Sequence, residues 1–404
     1  MKIVKIITII IIIIFISLTS NSLLPVSSEI DSMEILKLTG LDYIEKEEDG
    51  NNAVLSFLIE KEEANQNSSQ QESKSKSQKV LTYKAVTFNE AVRSMQFYTD
   101  KNMAGSHVKY FLIGEETAKN DINKVLDILS KDQEVRLSSY VYIIKDMSAQ
   151  EFLENVISSE YKLSDVLDNM ERSSNQKTIV KYITISEILS SKLSDSKIYL
   201  IPTLEFTTNM ENMSEVKGEE EKSSELASQF EFYGYCIMKD NKLIDFLDDK
   251  EAIIYNMLIN KSTGGNVDVI NEKGEAVSFG INDIVTNYSF NFDKDTLKEI
   301  DITVNFRSNF EEVLSEDEIT EEKNIIKYEK LQEEKIKKQV KELISKSQKL
   351  DLDILGIGEK INVKHPYKFR KIKKQFSSMY KDIKFNINVD VDIERTYDTY
   401  RIHK

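Results

Sequence analysis

From Ile383 to Ile393 apolar and polar side chains alternate for eleven residues without a break. A period of two belongs to a β-strand with one buried face and one wet face. A helix would scatter the same apolar side chains around its axis. The clean polar face suggests an antiparallel sheet with one exposed or partly covered side. Ile300–Phe306 repeats the pattern over a shorter stretch. Between the two lies a long charged helix, from about Glu316 to Leu350. Its narrow apolar stripe runs through Ile325, Leu331, Ile336, Val340, Leu343 and Ile344, and Glu333/Lys337 and Glu334/Lys338 are spaced for i,i+4 pairs. The stripe fits a helix laid across its own sheet, with a coiled coil as the other option.

Upstream the same reasoning places further elements. Ala53–Ile59, Val80–Val86, Val108–Gly114, Ser139–Ile144 and Ile198–Leu204 read as strands. Asn89 is expected to cap a helix over Glu90–Tyr98, and Ile122–Ser130 forms another. Ser148/Glu151 and Thr184/Glu187 have the spacing of capping boxes. Phe232–Met238 and Leu243–Leu247 form a hairpin, and Asp249 is expected to cap the helix Lys250–Asn260. The predicted class is α+β and multi-domain, with mixed or antiparallel sheets packed by helices. Residues 60–79 and 206–228 are polar and offer little to bury. We therefore expect an N-terminal domain over 29–205 with a flexible loop at 60–79. A linker over 206–228 and a C-terminal domain over 229–404 complete the division.

Residues 1–22 are a separate matter. Lys2 and Lys5 precede an almost unbroken apolar run from Ile6 to Leu18. This is the pattern of a secretory signal, and the lysines place the remainder of the chain on the outer side of a membrane. Counted from Ile3 the run is 16 residues, short of the ~20 that a span requires. A cleaved signal and a retained anchor both remain open. Outside the reducing cytosol, one cysteine means no internal disulfide, so packing alone holds the core. That residue, Cys236, lies in an apolar strand-like run and reads as a buried, inert thiol.

The formal net charge is −15, which disfavours nucleic acid as a partner, because phosphates would be repelled. The histidines, His107, His365 and His403, lack the close spacing of a metal pair, so no metal is expected. No Gly-x-Ser-x-Gly elbow occurs. Gly356-Ile-Gly358-Glu-Lys360 lacks phosphate-loop spacing and reads as a turn. Asp390 and Asp392 lie on the wet face of a strand, where solvation accounts for them. No catalytic set and no cofactor site emerges.

Five stretches in order resemble the C subunits of spore nutrient germinant receptors, the Ger(x)C spore germination protein family. They are Glu29–Ile35 leading to Gly40-Leu-Asp42, His107–Glu116, Leu126–Arg136, Gly234–Leu243 with Glu251-Ala252, and Asp353–Gly358 with His365-Pro-Tyr367 and the terminal strand. The resemblance implies an α+β fold with mixed sheets and no enzymatic activity. It also implies two integral-membrane partner subunits and a place on the outer face of the inner spore membrane. Gly114, Glu115, Asp132, Arg136, Gly234, Gly356 and Gly358 stand in these stretches as candidate structural or subunit-contact residues. Asp132 and Arg136, four apart, are spaced to bridge on a helix or turn. Family members usually carry a lipid-modified cysteine about five residues before the Glu-Ile pair. Here Leu24 stands in its place, so lipid anchoring by that route is closed. Two other readings are an extracellular solute-binding protein, for which no matching halves are visible, and a secreted cell-wall hydrolase, for which no catalytic set is.

Overall fold

The structure is a computed structural model, and it describes residues 33–45, 50, 52–60, 78–97, 102–157, 162–177, 181–207, 229–313 and 321–394. The apolar run, Leu24, most of 60–79 and most of 206–228 lie outside them, as does His403.

The first body is an eight-stranded sheet. Its strands are β2 (Leu38–Tyr43), β3 (Ala53–Glu60), β4 (Gln78–Ala85), β6 (Tyr110–Gly114), β7 (Tyr140–Ile144), β8 (Ile198–Thr207), β9 (Gln229–Lys239) and β10 (Lys242–Leu247). They lie in the order β10-β9-β8-β7-β6-β2-β3-β4. The central four, β2, β6, β7 and β8, run parallel, and antiparallel partners close both sides. A two-stranded parallel ribbon, β1 (Met33–Ile35) with β5 (Asn102–Ala104), accompanies it. The central strands are near-continuous apolar runs, as strands covered on both faces require. Tyr110–Gly114 is buried at every position.

One face carries α1 (Phe88–Gln96), α2 (Glu115–Asp121), α3 (Asn123–Lys131) and α6 (Ile185–Lys192), whose Ala91, Val125, Leu126 and Ile188 meet Phe111, Ile113 and Ile143. The other carries α4 (Ala149–Val156) and α5 (Leu163–Lys177), whose Phe152, Leu153 and Leu167 meet Leu38, Leu112 and Ile144. The hairpin β9–β10, expected from sequence in the second domain, instead completes this sheet. Strand β9 pairs with β8 from Ile198↔Lys239 to Thr207↔Gln229. The expected start of the linker, at 206, is still strand. A polar segment can return its chain to the same sheet edge as easily as it can lead to a new core.

The second body is a four-stranded sheet in which β11 (Gly264–Ile270), β12 (Ala276–Asp293), β13 (Thr296–Val313) and β14 (Lys384–Ile393) lie side by side in that order. It is packed by α7 (Asp249–Leu258), α8 (Glu322–Lys349), α9 (Ile357–Lys364), α10 (Pro366–Ile372) and α11 (Phe376–Tyr380). In β14, Ile387, Val389, Val391 and Ile393 are buried while Asn388, Asp390 and Asp392 are exposed. The predicted one-faced strand is thus present. Its pairing is not antiparallel: β14 runs parallel to β13, because the helical segment between them brings the chain back to the starting end. The fold is α+β with mixed sheets.

Helix α8 lies on its own sheet rather than in a coiled coil. Its charges are spent on that sheet: Glu329 accepts from the Ile393 amide at 3.2 Å, and Lys335 donates to the Asp268 carbonyl. The expected pairs Glu333/Lys337 and Glu334/Lys338 do not form among the described residues, whereas Lys338–Glu342 does at 3.9 Å. The second core also takes in Leu200, Tyr235, Ile237 and Leu247 from the first sheet, so the two bodies share one apolar cluster.

Candidate functional site

Strands β2 and β6 are parallel neighbours, with Leu41 opposite Ile113. The next residue on each is Asp42 and Gly114. Buried Asp42 accepts from the Ala149 amide at 2.9 Å and the Gln150 amide at 3.0 Å, the opening of α4. A carboxylate at a helix N-terminus meets unpaired N–H groups and the positive end of the dipole. Burial nonetheless dominates and pushes the Asp42 carboxyl above its ordinary value, with these amides opposing. A Cβ on Gly114 would lie 2.2 Å from Asp42 Oδ1 and 2.9 Å from Ser148 Cα. A Cβ on Gly40 would lie 3.0 Å from Leu153 Cδ1 and 3.1 Å from Ala149 Cβ. Glycine at both places is what lets α4 sit flush on the sheet.

Glu115 follows directly. It is buried, accepts from the Asp146 amide at 2.6 Å and pairs with Lys119 at 2.8 Å. Asp146 is left-handed, at φ 59°. Glu115 thereby ties α2 to the turn that leads from β7 into α4. Ser148 caps α4 by accepting from the Glu151 amide, half of the predicted box; Thr184 and Glu187 complete theirs in both directions.

On the face that carries α4 and α5, a charged knot pins α5. Lys109 Nζ lies 2.7 Å from Asp168 and 2.6 Å from Glu171, Tyr110 donates to Asp168 at 2.5 Å, and Tyr140 donates to Glu171 at 2.6 Å. Burial alone would raise both carboxyls. The hydrogen bonds from Lys109 and the tyrosines outweigh it and hold both below the ordinary range. Lys109 and Tyr110 fall within a shared stretch, yet sequence reasoning missed the knot, because its acids lie some sixty residues away.

Asp132 and Arg136 do not bridge. Helix α3 ends at Lys131, and Asp132 is extended at ψ 123°, so the i,i+4 spacing is lost. Asp132 accepts from the Glu134 amide at 2.9 Å, and Arg136 is exposed.

Gly234 sits at φ 139° beside a register shift in the β8–β9 ladder. A Cβ there would lie 2.2 Å from the Leu247 carbonyl oxygen and 2.7 Å from that of Asp248. The neighbouring Tyr235 reaches across the two bodies, donating to Asn256 Oδ1 at 3.0 Å and accepting from the Lys181 amide. Gly356, at φ 63°, precedes α9. Asp353 accepts from the amides of Ile357 and Gly358, each at 2.8 Å, and a Cβ on Gly358 would lie 3.0 Å from Phe376. The segment is a turn into a helix whose first amides are closed by the chain's own carboxylate. Between this helix and α6 lies a cleft of about 800 Å³, with Tyr235, Tyr255 and Asp353 among its lining.

Cys236 is fully buried, and burial pushes its thiol up to about 12. Among the described residues no group of three or more His, Cys, Asp or Glu is placed to hold a metal ion. None of the described helices is long and apolar enough to cross a membrane.

The described residues form two packed α+β bodies tied by one shared apolar core. Residues 27–206 match the profile described as "Spore germination protein N-terminal domain", and residues 233–397 match "Spore germination B3/ GerAC like, C-terminal". The chain belongs to this GerAC-like spore germination protein family. It is 22% identical over 324 residues to "Putative spore germination protein YfkR" of Bacillus subtilis strain 168, covering 80% of this chain and 79% of that one. Its fold is similar to the crystal structure of the GerBC protein, with a TM-score of 0.55 at 18% identity, covering 88% of this chain and 97% of the other.

Proposed function

We propose that the protein is the non-catalytic C subunit of a spore nutrient germinant receptor. It works with two integral-membrane subunits at the outer face of the inner spore membrane and helps to trigger germination. The observation that carries this reading is the match of both family profiles, in order, across the two halves of the chain. The apolar run Ile6–Leu18 behind Lys2 and Lys5 supports an outward-facing body. With Leu24 at the position of the family's usual lipid-bearing cysteine, attachment rests on that run or on the partner subunits. Gly114, Glu115 and Gly234 act in this reading by holding helices and strands at fixed separations, so that a contact surface keeps its shape.

The test is deletion of the gene, with purified spores then exposed to nutrients. Germination should be lost or slowed, and restored by the intact gene. Undiminished germination in a strain with no second receptor overturns the reading.

A further inference from the structure

The cleft between α6 and α9 is lined by Lys181, Lys360 and Lys364 and by Glu187, Asp353 and Glu359, so its formal charges balance. The protein carries a net −15, yet the groups in the cleft with donor capacity to spare are cationic or hydroxylic. Lys360 Nζ donates to the Leu355 carbonyl, and Lys364 Nζ to the Tyr288 carbonyl at 2.7 Å. An ammonium has three protons to give, and each of these has spent one on a neutral acceptor. Ser191 adds a hydroxyl from the facing helix, while that of Ser190 donates to the Ser186 carbonyl at 2.8 Å.

The acids in the same cleft are largely committed. Asp353 closes the amides of Ile357 and Gly358. Glu187 is held by Lys181 at 3.2 Å and by the Thr184 amide at 2.9 Å. Asp353 also attracts Lys360, and Glu359, exposed at the mouth, stands beside the lysines as well. The volume, about 800 Å³, lies within the ~300–1,000 Å³ of small-molecule sites, which favour the seams between packed bodies. Tyr199, Tyr255 and Ile198 supply an apolar wall. Val363, 76% exposed, adds an apolar side chain to the lining.

We propose that this cleft binds a small solute bearing a carboxylate or phosphate group, with Lys360 and Lys364 meeting the anionic end and the tyrosine wall covering the rest. The inference goes beyond the receptor-subunit reading and is tested without reference to germination, so either can fail alone. Full-length protein in detergent is titrated calorimetrically with inorganic phosphate and, separately, with succinate, at ionic strength matched by chloride. Saturable binding is expected in at least one arm, and the stronger arm identifies the head group. Lys364→Ala, at an exposed position, should weaken it at least tenfold. Ser191→Phe, which fills the cleft from the opposite wall, should do the same. Lys298→Ala, on the second sheet, should leave it unchanged. Absence of saturable binding in both arms overturns the proposal, as does equal weakening by Lys298→Ala and Lys364→Ala.

Discussion

Gly114 and Asp42 face each other across two parallel strands with no room for a methyl group between them, since an added Cβ would come within 2.2 Å of the carboxylate. The carboxylate is in turn bound to the first amides of α4. One glycine and one acid therefore set how closely a helix approaches the sheet.

Gly114→Ala should destabilise the protein by about 1–3 kcal/mol, the usual range for overpacking. Gly40→Ala, whose nearest neighbours are 3.0 and 3.1 Å away and belong to side chains, should cost less. Urea denaturation monitored by circular dichroism orders the two. Equal or inverted costs would show that the Asp42 contact is not the tight one.

At Gly234 and Gly356 the backbone is left-handed for different reasons. Gly356 has open space around it, so Gly356→Ala should cost only about 1–2 kcal/mol of left-handed strain. Gly234→Ala adds a clash with two carbonyl oxygens, at 2.2 and 2.7 Å, and should cost more. The same denaturation series checks this, and a milder effect at Gly234 counts against the packing described for β9.

Acid stability should depend on Lys109. Asp168 and Glu171 have folded pKa values below their unfolded ones. Their contribution is full above the unfolded values and is lost as pH falls through the folded ones. Asp42 has the opposite sign, favouring the folded state at low pH and losing that contribution as pH rises through its raised value. Lys109→Met removes the cation between the two acids, so its acid-unfolding midpoint should move to higher pH. Coincident acid-unfolding curves for wild type and variant would refute the role given to the knot.

Asp353→Ala should open the start of α9. Losing a capping side chain typically costs about 0.5–2 kcal/mol. Hydrogen exchange should quicken at the Ile357 and Gly358 amides, which Asp353 now holds, and leave Ala149 and Gln150 unchanged. Uniform quickening at all four would point to global loosening instead.

Cys236 should resist alkylation at pH 8 in the folded protein and react after unfolding in urea. Its thiol is fully buried and its ionisation is pushed up to about 12. Rapid labelling of the folded state, tracked by mass spectrometry, would contradict the burial.

Much of the local structure was legible before the fold. The alternation in β14, the long helix α8 and the Thr184/Glu187 box need only neighbouring residues to form. Cap positions slipped where polar residues crowd together: Thr87 rather than Asn89 caps α1, and Asp248 rather than Asp249 caps α7. Phe88 is buried in the first turn of α1, and that packing decides where the helix begins. The family stretches pointed to Gly114, Glu115 and Gly234, but not to Asp42 or Asp353 as their partners. Nothing local tells a carboxylate which distant amides it will meet.

The order of residues alone determined which faces are apolar, which segments are helical or extended, and that a charged apolar-led N-terminus precedes the folded body, because periodicity and hydropathy act within a few residues of themselves. Strand partners were left to tertiary structure: the parallel return of β14, the recruitment of β9 and β10 to the first sheet, and the cleft between α6 and α9. Those depend on contacts between residues far apart in the chain, where many pairings bury similar apolar area and only the assembled cores select one.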